Sequence, residues 1–330
     1  MTGSAEVRKA KVRARSNIAL VKYWGKRDKA LNTPAVGSIS ITLNKLWTDT
    51  EVRFDPALGA DRLELDGKSR AEQLARVSEC LDLLRDIAGI STFAEVVSSN
   101  NFPTGAGLAS SASGFAALVG AAAAALDLDC SLKELSILAR RGSGSAARSL
   151  FGGYVEMHKG VAVDGSDSFA EPLAPAEAWP LQVLVAITTR SEKAVGSGPG
   201  MAMSAATSPY YPQWVETHPQ DLAIAREAIV NQDFQLLARV AESSCLKMHA
   251  AAMSTEPPLI YWNGATVECL QRIRALRADG VPVFFTIDAG PQVKAVCLPT
   301  AADQVKAALV ELEGVTDILA TDLGPGLERL

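Results

Sequence analysis

A glycine- and serine-rich stretch in the first half of the chain runs straight into an alanine-rich apolar segment. The stretch reads N-F-P-T-G-A-G-L-A-S-S-A-S over 101–113, and the apolar segment covers 114–126. This segment is too short to span a bilayer, so we predict a packed helix. Glycines let a ligand approach the backbone, and the N–H groups before a helix favour phosphate. The pattern therefore indicates a phosphate-binding loop.

The same stretch has a plainer explanation as a glycine-rich turn whose serines cap the following helix. It lacks the Gly-Lys-Ser/Thr ending of a Walker A loop, and it is not the G-x-G-x-x-G pattern of dinucleotide-binding proteins. The hydroxyls of Ser110 and Ser111 are the side-chain groups that it could offer to a phosphate or to a metal ion.

The charge balance argues against one large class of function. The 330 residues include 32 basic and 37 acidic side chains, which makes the chain slightly acidic. Proteins that bind nucleic acid by neutralising its phosphates need a basic surface, so nucleic acid is not an expected partner. An anionic ligand must instead meet a local cluster of basic residues.

The sequence contains no pattern that indicates a membrane span or an export signal. The basic residues near the N-terminus are not followed by an apolar run of secretory length, so we predict a cytoplasmic protein. The five cysteines are scattered without metal-binding spacing and are predicted to be buried thiols. His158 and His218 are predicted at the surface, and His249 is predicted to pack within a helix.

Hydrophobic periodicity predicts a mixed α and β chain in two domains. The length favours more than one domain, and the acidic, proline-bearing stretch 171–180 is the predicted link between domains 1–180 and 181–330. Strands are predicted at 36–46, 51–54, 62–65, 93–98, 181–188 and 281–287. Helices are predicted at 71–88, 131–141, 221–230, 233–249, 265–278 and 302–312. The second of these helices begins with a capping box of Ser131 and Glu134.

Four segments, in order along the chain, resemble one enzyme family. The glycine-rich loop matches the motif P-x-x-x-G-L-x-S-S-A of the small-molecule kinases that include galactokinase, homoserine kinase, mevalonate kinase and phosphomevalonate kinase. Three further segments resemble the decarboxylating branch of that superfamily, the diphosphomevalonate decarboxylases: N-I-A-L-V-K-Y-W-G-K at 17–26, G-S-G-S-A-A-R-S at 142–149 and T-I-D-A-G-P at 286–291. The resemblance extends over nearly the whole chain.

This resemblance implies a fold and a reaction. The fold is α+β, with a ribosomal-protein-S5-like N-terminal half packed on a ferredoxin-like C-terminal half, an active site in the cleft between them and commonly a homodimer. The reaction uses ATP and Mg²⁺ to phosphorylate the 3-hydroxyl of 5-diphosphomevalonate, and the loss of that phosphate with CO₂ then gives isopentenyl diphosphate. The implied ATP-binding residues are Asn101, Pro103, Gly105, Gly107, Leu108, Ala109, Ser110 and Ser111.

Such a reaction needs a carboxylate near the hydroxyl and fixed cations for both anionic ends of the substrate. Asp288 ends an apolar strand and is the candidate that orients or deprotonates the hydroxyl, although an Asp before Gly-Pro can also simply form a turn. By the resemblance, Arg148 binds the substrate carboxylate and Lys22 is the third catalytic residue. The implied substrate-binding residues are Tyr23, Lys26, Ser143, Gly144, Ser145, Ser197, Met201 and Ala289.

One loop departs from the family pattern. Where relatives often carry two adjacent hydroxyl residues before Gly-Met, this chain has Gly196 and Ser197, followed by Gly198. Fewer side-chain donors would then face the diphosphate, so a decarboxylase of 5-phosphomevalonate stays open as an alternative. A mevalonate-type kinase without decarboxylation and a nucleotide-binding regulator without catalysis also stay open.

Overall fold

The chain forms two β-sheets and a separate short β-hairpin. The computed structural model describes residues 6–102, 110–191 and 193–330. Its strands are β1 (Arg8–Val21), β2 (Lys26–Asp28), β3 (Thr33–Pro34), β4 (Ser38–Phe54), β5 (Arg62–Leu65), β6 (Lys68–Ser69), β7 (Ala94–Asn100), β8 (Tyr154–Met157), β9 (Ala170–Ala174), β10 (Gln182–Ile187), β11 (Val283–Ile287), β12 (Val293–Cys297), β13 (Asp317–Asp322) and β14 (Glu328–Arg329). The first sheet has the order β14-β1-β4-β7-β5-β6, with β8 on the first half of β4 and β9 beside β8. The second sheet has the order β11-β12-β10-β13, and β2 pairs with β3.

Eight α-helices accompany these sheets within the described ranges. They are α1 (Ala71–Ala88), α2 (Ser110–Ala125), α3 (Leu132–Gly142), α4 (Ser197–Thr207), α5 (Tyr211–Val230), α6 (Phe234–Met253), α7 (Gly264–Ala278) and α8 (Ala302–Val310). Across the same ranges, none of these helices is both long enough and apolar enough to cross a membrane.

Strands β1 and β4 change character along their length. From Leu46 onwards, β4 alternates buried and half-exposed residues, as expected of a sheet with one covered face. The first half of β4 and the last residues of β1 are instead buried on both faces. Strand β1 therefore enters the interior before it ends, and it delivers the next residue, Lys22, to a buried position.

Helix α2 packs against β1 and β4 through small side chains. Ala116, Ala117 and Ala121 are fully buried, which confirms the packed helix predicted from the apolar segment. A Cβ atom added to Gly120 would lie 2.9 Å from a methyl group of Leu327. The absence of larger side chains therefore lets the helix backbone approach the sheet closely.

One apolar core joins the two halves of the chain. Leu237 of α6 and Phe284 of β11 belong to the same buried cluster as Ile18 of β1 and Ile39 of β4. Helices α6, α7 and α8 cover the second sheet, and β14 returns the end of the chain to the edge of β1. The predicted domain boundary between residues 180 and 181 falls between β9 and β10, and it stays a prediction.

Several local predictions are confirmed, and the prediction for His218 is wrong. Helix α1 and strand β5 have the predicted bounds, and Ser131 caps α3 in a capping box with Glu134. His218, predicted at the surface, is buried on α5 with its Nε2 atom 2.8 Å from the carbonyl oxygen of Gly37. The polar and proline-containing sequence around His218 hides the fact that this face of the helix packs on the first sheet.

Candidate active site

A cavity of about 860 Å³ opens between segments that follow β1, β10 and β11 and the N-termini of α2 and α4. It gathers residues that lie far apart in the sequence. The predicted site residues in its wall are Lys22, Tyr23, Lys26, Ser110, Ser111, Ser143, Gly144, Ser145, Arg148, Ser197, Met201, Asp288 and Ala289. The structure thus brings together predicted residues from both halves of the chain.

Asp288 lies between two buried lysines. The Nζ atom of Lys22 donates to Oδ1 at 2.7 Å, and the Nζ atom of Lys294 lies 3.3 Å from Oδ2. Both lysine side chains are 1% exposed, whereas that of Asp288 is 25% exposed. Burial alone would raise the pKa of Asp288, but the two ammonium groups outweigh burial and hold it well below its usual range. Asp288 is therefore an ionised hydrogen-bond acceptor at the cavity wall.

Arg148 is buried in the same wall and is fixed by neutral groups. Its Nη1 atom donates to Oγ of Ser38 at 2.5 Å, and its Nε atom donates to Oδ1 of Asn17 at 3.2 Å. Within the described ranges it forms no ion pair with a carboxylate. Burial lowers the pKa of Arg148 to about 10, although the charge of Asp288 works in the opposite direction. The guanidinium stays charged at neutral pH and has N–H groups left for an anion.

The loop after α3 forms a polar corner of the cavity. Oγ of Ser143 lies 3.4 Å from Oγ of Ser111 and 3.3 Å from Oγ of Ser145. A Cβ atom on Gly144 would overlap the hydroxyl of Tyr23, so a glycine is required for this approach. That hydroxyl is buried without a hydrogen-bond partner in the described part of the chain, and burial raises the pKa of Tyr23 to about 12. A ligand oxygen would satisfy this neutral phenol.

Lys193 connects the start of α4 with the turn that follows β11. Its Nζ atom donates to Oγ of Ser197 and to the carbonyl oxygen of Ala289, both at 2.9 Å. Burial lowers the pKa of Lys193, and the negative charge of Asp288 opposes this effect. Ser197 is the first residue of α4, whose N-terminus faces the cavity and favours an anion there.

A basic rim borders the cavity on the side of α1. Arg76 donates its Nε hydrogen to the carbonyl oxygen of Gly142 at 2.7 Å and stacks 4.4 Å from the ring centre of Phe115. Lys26 also lines the cavity, and burial together with the charges of Arg76 and Lys29 lowers its pKa. These cations suit the phosphates of a nucleotide or substrate.

Asn101, a predicted ATP-binding residue, is bonded to β4 through its side chain. Its Oδ1 atom accepts from the backbone N–H of Trp47, and its Nδ2 atom donates to the carbonyl oxygen of Lys45, both at 2.8 Å. The side chain thus ties the start of the phosphate loop to β4, and it is not in the cavity wall. The predicted residues Pro103, Gly105, Gly107, Leu108 and Ala109 lie outside the described residues.

The donor set fits a metal ion carried by phosphate rather than a protein cage. No group of three or more His, Cys, Asp or Glu side chains that could hold a metal ion occurs in the ranges that the structure describes. Ser110 and Ser111 offer hydroxyls at the start of α2, beside the cavity. Mg²⁺ binds few protein ligands when phosphates and water supply the others, so these hydroxyls fit the ion.

Comparison with known proteins identifies the family. Residues 14–170 match the diphosphomevalonate decarboxylase-like N-terminal domain, and residues 183–321 match the mevalonate 5-diphosphate decarboxylase C-terminal domain. The diphosphomevalonate decarboxylase of Candida albicans is 36% identical, over 96% of this chain and 96% of its own. This chain belongs to the diphosphomevalonate decarboxylase family.

Solved structures of diphosphomevalonate decarboxylases share the fold. The enzyme from Staphylococcus aureus is 39% identical with a TM-score of 0.93, over 98% of each chain. A structure of MDDEF in complex with MVAPP, AMPPCP and magnesium is 40% identical with a TM-score of 0.91, over 98% of this chain and 99% of that chain. The α+β fold expected of the family is therefore confirmed.

Three basic residues in or beside this cavity were missed by sequence reasoning. Lys193 and Arg76 stand in regions that give no local signal, because only the tertiary fold brings them to the cavity. Lys294 does leave a signal, since it interrupts the apolar strand V-K-A-V-C six residues after Asp288. A lysine in a buried strand needs an anionic partner, and the nearest motif supplies one.

Proposed function

We propose that this chain catalyses the ATP-dependent decarboxylation of 5-diphosphomevalonate to isopentenyl diphosphate, ADP, phosphate and CO₂. The ionised Asp288, held at the wall of a cavity rich in cations, carries the proposal. Lys22, Lys193 and Arg148 also line that cavity, and they suit a substrate with a carboxylate and a diphosphate. The relative solved with MVAPP, AMPPCP and magnesium supports the same substrates.

Phosphoryl transfer to the 3-hydroxyl is the first step. Asp288 accepts a hydrogen bond from this hydroxyl and so aims its oxygen at the γ-phosphorus of ATP. The new O–P bond forms while the bond from the γ-phosphorus to the β-phosphate oxygen breaks, which releases ADP. The hydroxyl proton shifts towards Asp288 as the O–H bond breaks, and it then passes to solvent. Mg²⁺, held through Ser110 or Ser111 and water, would neutralise phosphate charge when bound.

Loss of phosphate and CO₂ completes the reaction. The C–O bond to the 3-phosphate and the C–C bond to the carboxylate break, and the electron pair of the C–C bond becomes the alkene. Arg148 can hold the carboxylate, because Asn17 and Ser38 leave part of its guanidinium free for a ligand. Tyr23 and Lys26 line the same cavity and can contact substrate phosphate.

A decarboxylase of 5-phosphomevalonate is the second candidate, and the start of α4 favours it. Gly196 and Gly198 provide no side-chain donor beside Ser197. A Cβ atom added to Gly198 would meet no atom of the described residues within 4 Å, so that side of the cavity is open. A diphosphate would have to rely there on Ser197, on Lys193 and on backbone N–H groups.

Release of ADP and CO₂ by the purified protein separates the candidates. The protein receives ATP, Mg²⁺ and either 5-diphosphomevalonate or 5-phosphomevalonate at equal concentration. We expect equal release of both products with the diphosphate and at least about tenfold less with the monophosphate. Release with the monophosphate alone would select the second candidate, and ADP without CO₂ would leave a kinase.

A cytoplasmic location and a homodimer also belong to the proposal. The resemblance of the sequence to the family supports the homodimer. Light scattering tests the homodimer, with twice the mass of one chain as the expected result. A mass equal to one chain at micromolar concentration would contradict it.

A further inference from the structure

We infer that Lys294 is a positioning residue for this reaction, which fixes the carboxylate of Asp288 from behind and keeps it ionised without contacting the substrate. The inference rests on the proposed function. It concerns a residue that the sequence motifs did not include. It assigns different roles to the two buried lysines that pair with the same carboxylate.

The geometry assigns the two lysines to different sides of Asp288. Lys22, which follows β1, reaches Oδ1 and also lines the cavity. Lys294 reaches Oδ2 from β12, in the middle of the second sheet, where it pairs in register with Thr286 of β11. Among the described residues of the cavity wall Lys294 does not appear, and its side chain is 1% exposed. It is therefore placed to act on the reaction through Asp288 and not by contact with a ligand.

The charges of Lys294 and Asp288 depend on each other. Burial lowers the pKa of Lys294, and the carboxylate of Asp288 opposes this effect. Asp288 in turn is held by a hydrogen bond from Lys22 and by the charges of both lysines. Removal of Lys294 would leave Oδ2 without this ammonium partner, so the carboxyl would rotate more freely and its pKa would rise.

The other groups that act on Asp288 cannot replace Lys294. Those that face it electrostatically are Lys22 after β1, Lys193 after β10, Arg148 after α3, and Cys245 and His249 on α6. Burial keeps the Cys245 thiol and the His249 imidazole neutral at pH 7, because it raises the pKa of the first and lowers that of the second. The remaining three are cations of the cavity wall that can also bind ligand. Lys294 is thus the cation of this group whose loss leaves that wall intact.

Substitution of Lys294→Met tests the inference, because methionine keeps the length and removes the charge. We expect kcat to fall at least about tenfold while the KM values for both substrates change less than about threefold. We also expect the acid limb of the pH profile of kcat to move to higher pH by about one unit or more. A protonated Asp288 cannot accept the hydrogen bond from the 3-hydroxyl. Lys294→Arg restores the charge and should reverse part of this shift of the acid limb.

A matched control separates electrostatic from structural effects. Cys297→Ala alters a fully buried side chain at the other end of β12, and it should leave the pH profile unchanged. Equal loss of kcat in both variants, without movement of the acid limb in Lys294→Met, would show that Lys294 has only a structural role. Unchanged kcat and pH profile in Lys294→Met would overturn the inference as well.

A second measurement does not depend on turnover. Asp288→Asn leaves Lys294 buried beside a neutral amide, so it should lower the urea midpoint of unfolding. Adding Lys294→Met to Asp288→Asn should recover at least part of that loss, whereas independent sites would give additive losses. Additivity would contradict the coupling. Absence of CO₂ release by the unmodified protein would refute the proposed function alone, because this coupling would still be measurable.

Discussion

At the scale of single residues, Asp288 and Arg148 occupy one cavity wall but are fixed by different partners. Asp288 is held by two lysines, and Arg148 is held by Asn17 and Ser38. Neither group has to break a bond with the other before a ligand binds. Such fixed groups stabilise developing charge without reorganisation, which is the main source of catalysis in sites of this kind.

Arg148→Lys tests whether the planar fork of the guanidinium matters beyond its charge. A lysine at this position cannot bond Asn17, Ser38 and a ligand carboxylate at once, so we expect kcat/KM to fall about 100-fold. Steady-state kinetics with 5-diphosphomevalonate measure it. Arg13→Lys is the matched control, because Arg13 pairs with Asp49 away from the cavity and should change kcat/KM less than twofold.

The residues that sequence reasoning could find were those inside motifs. Asp288, Arg148 and Lys22 stand in short segments that resemble the family's motifs, and the structure places all of them at the cavity. Lys193 and Arg76 follow no such pattern, because their position depends on how α1 and the segment after β10 pack in three dimensions. Their roles as ligands of substrate or nucleotide stay predictions.

At the scale of elements, the start of α7 supports the turn that carries Asp288. Asn263 caps α7 by accepting from the backbone N–H of Thr266 at 2.8 Å. The hydroxyl of Thr266 donates to the carbonyl oxygen of Pro291 at 2.8 Å. A helix cap is thereby connected to the last residue of the turn that follows β11.

Asn263→Ala tests this connection, with Ser131→Ala as its matched control. Loss of either N-cap should lower the free energy of unfolding by about 1 kcal/mol, measured by urea denaturation. Only Asn263→Ala should also lower kcat, by about threefold or more, since only its helix holds the turn after Asp288. Equal kcat in both variants would show that the cap of α7 does not support the active site.

Strands and helices with clear periodicity were predicted, and those shaped by tertiary contacts were not. Helix α1 and the capping box of α3 follow from local sequence alone. Strand β1 was missed because R-K-A-K-V-R-A-R places charged side chains on its exposed face before the strand becomes buried. Helix α5 begins ten residues before its predicted start at Asp221, because prolines at its first turn and at Pro219 look like breaks.

At the scale of the whole molecule, the apolar core ties the two sheets together, so the cavity between them depends on global stability. Two buried histidines near this junction link that stability to pH. Burial lowers the pKa of His218 to about 4 and that of His249 to about 3. Sequence alone could not place His218 in the interior, because its neighbours on α5 are polar.

The sign of the pH effect follows from these shifts. Below about pH 6.5 the unfolded chain binds protons at both histidines and the folded chain does not, so stability falls as the pH drops towards 4. We expect His218→Gln to reduce this loss by roughly 1 kcal/mol per pH unit between pH 6 and 5. Urea midpoints at several pH values measure it, with His158→Gln as the control because that ring is 34% exposed. An identical slope in His218→Gln and the unmodified protein would contradict the assignment.

The release of ADP and CO₂ from 5-diphosphomevalonate, followed together in the unmodified protein and in Asp288→Asn, is the decisive measurement. We expect equal amounts of the two products in the first, and a fall of at least about a thousandfold in both products in the second, with substrate binding within about tenfold. The urea midpoint of each protein confirms that the variant is folded. Near-normal release by the Asn variant, or ADP without CO₂ from the unmodified protein, would contradict the assignment of Asp288 and of the reaction.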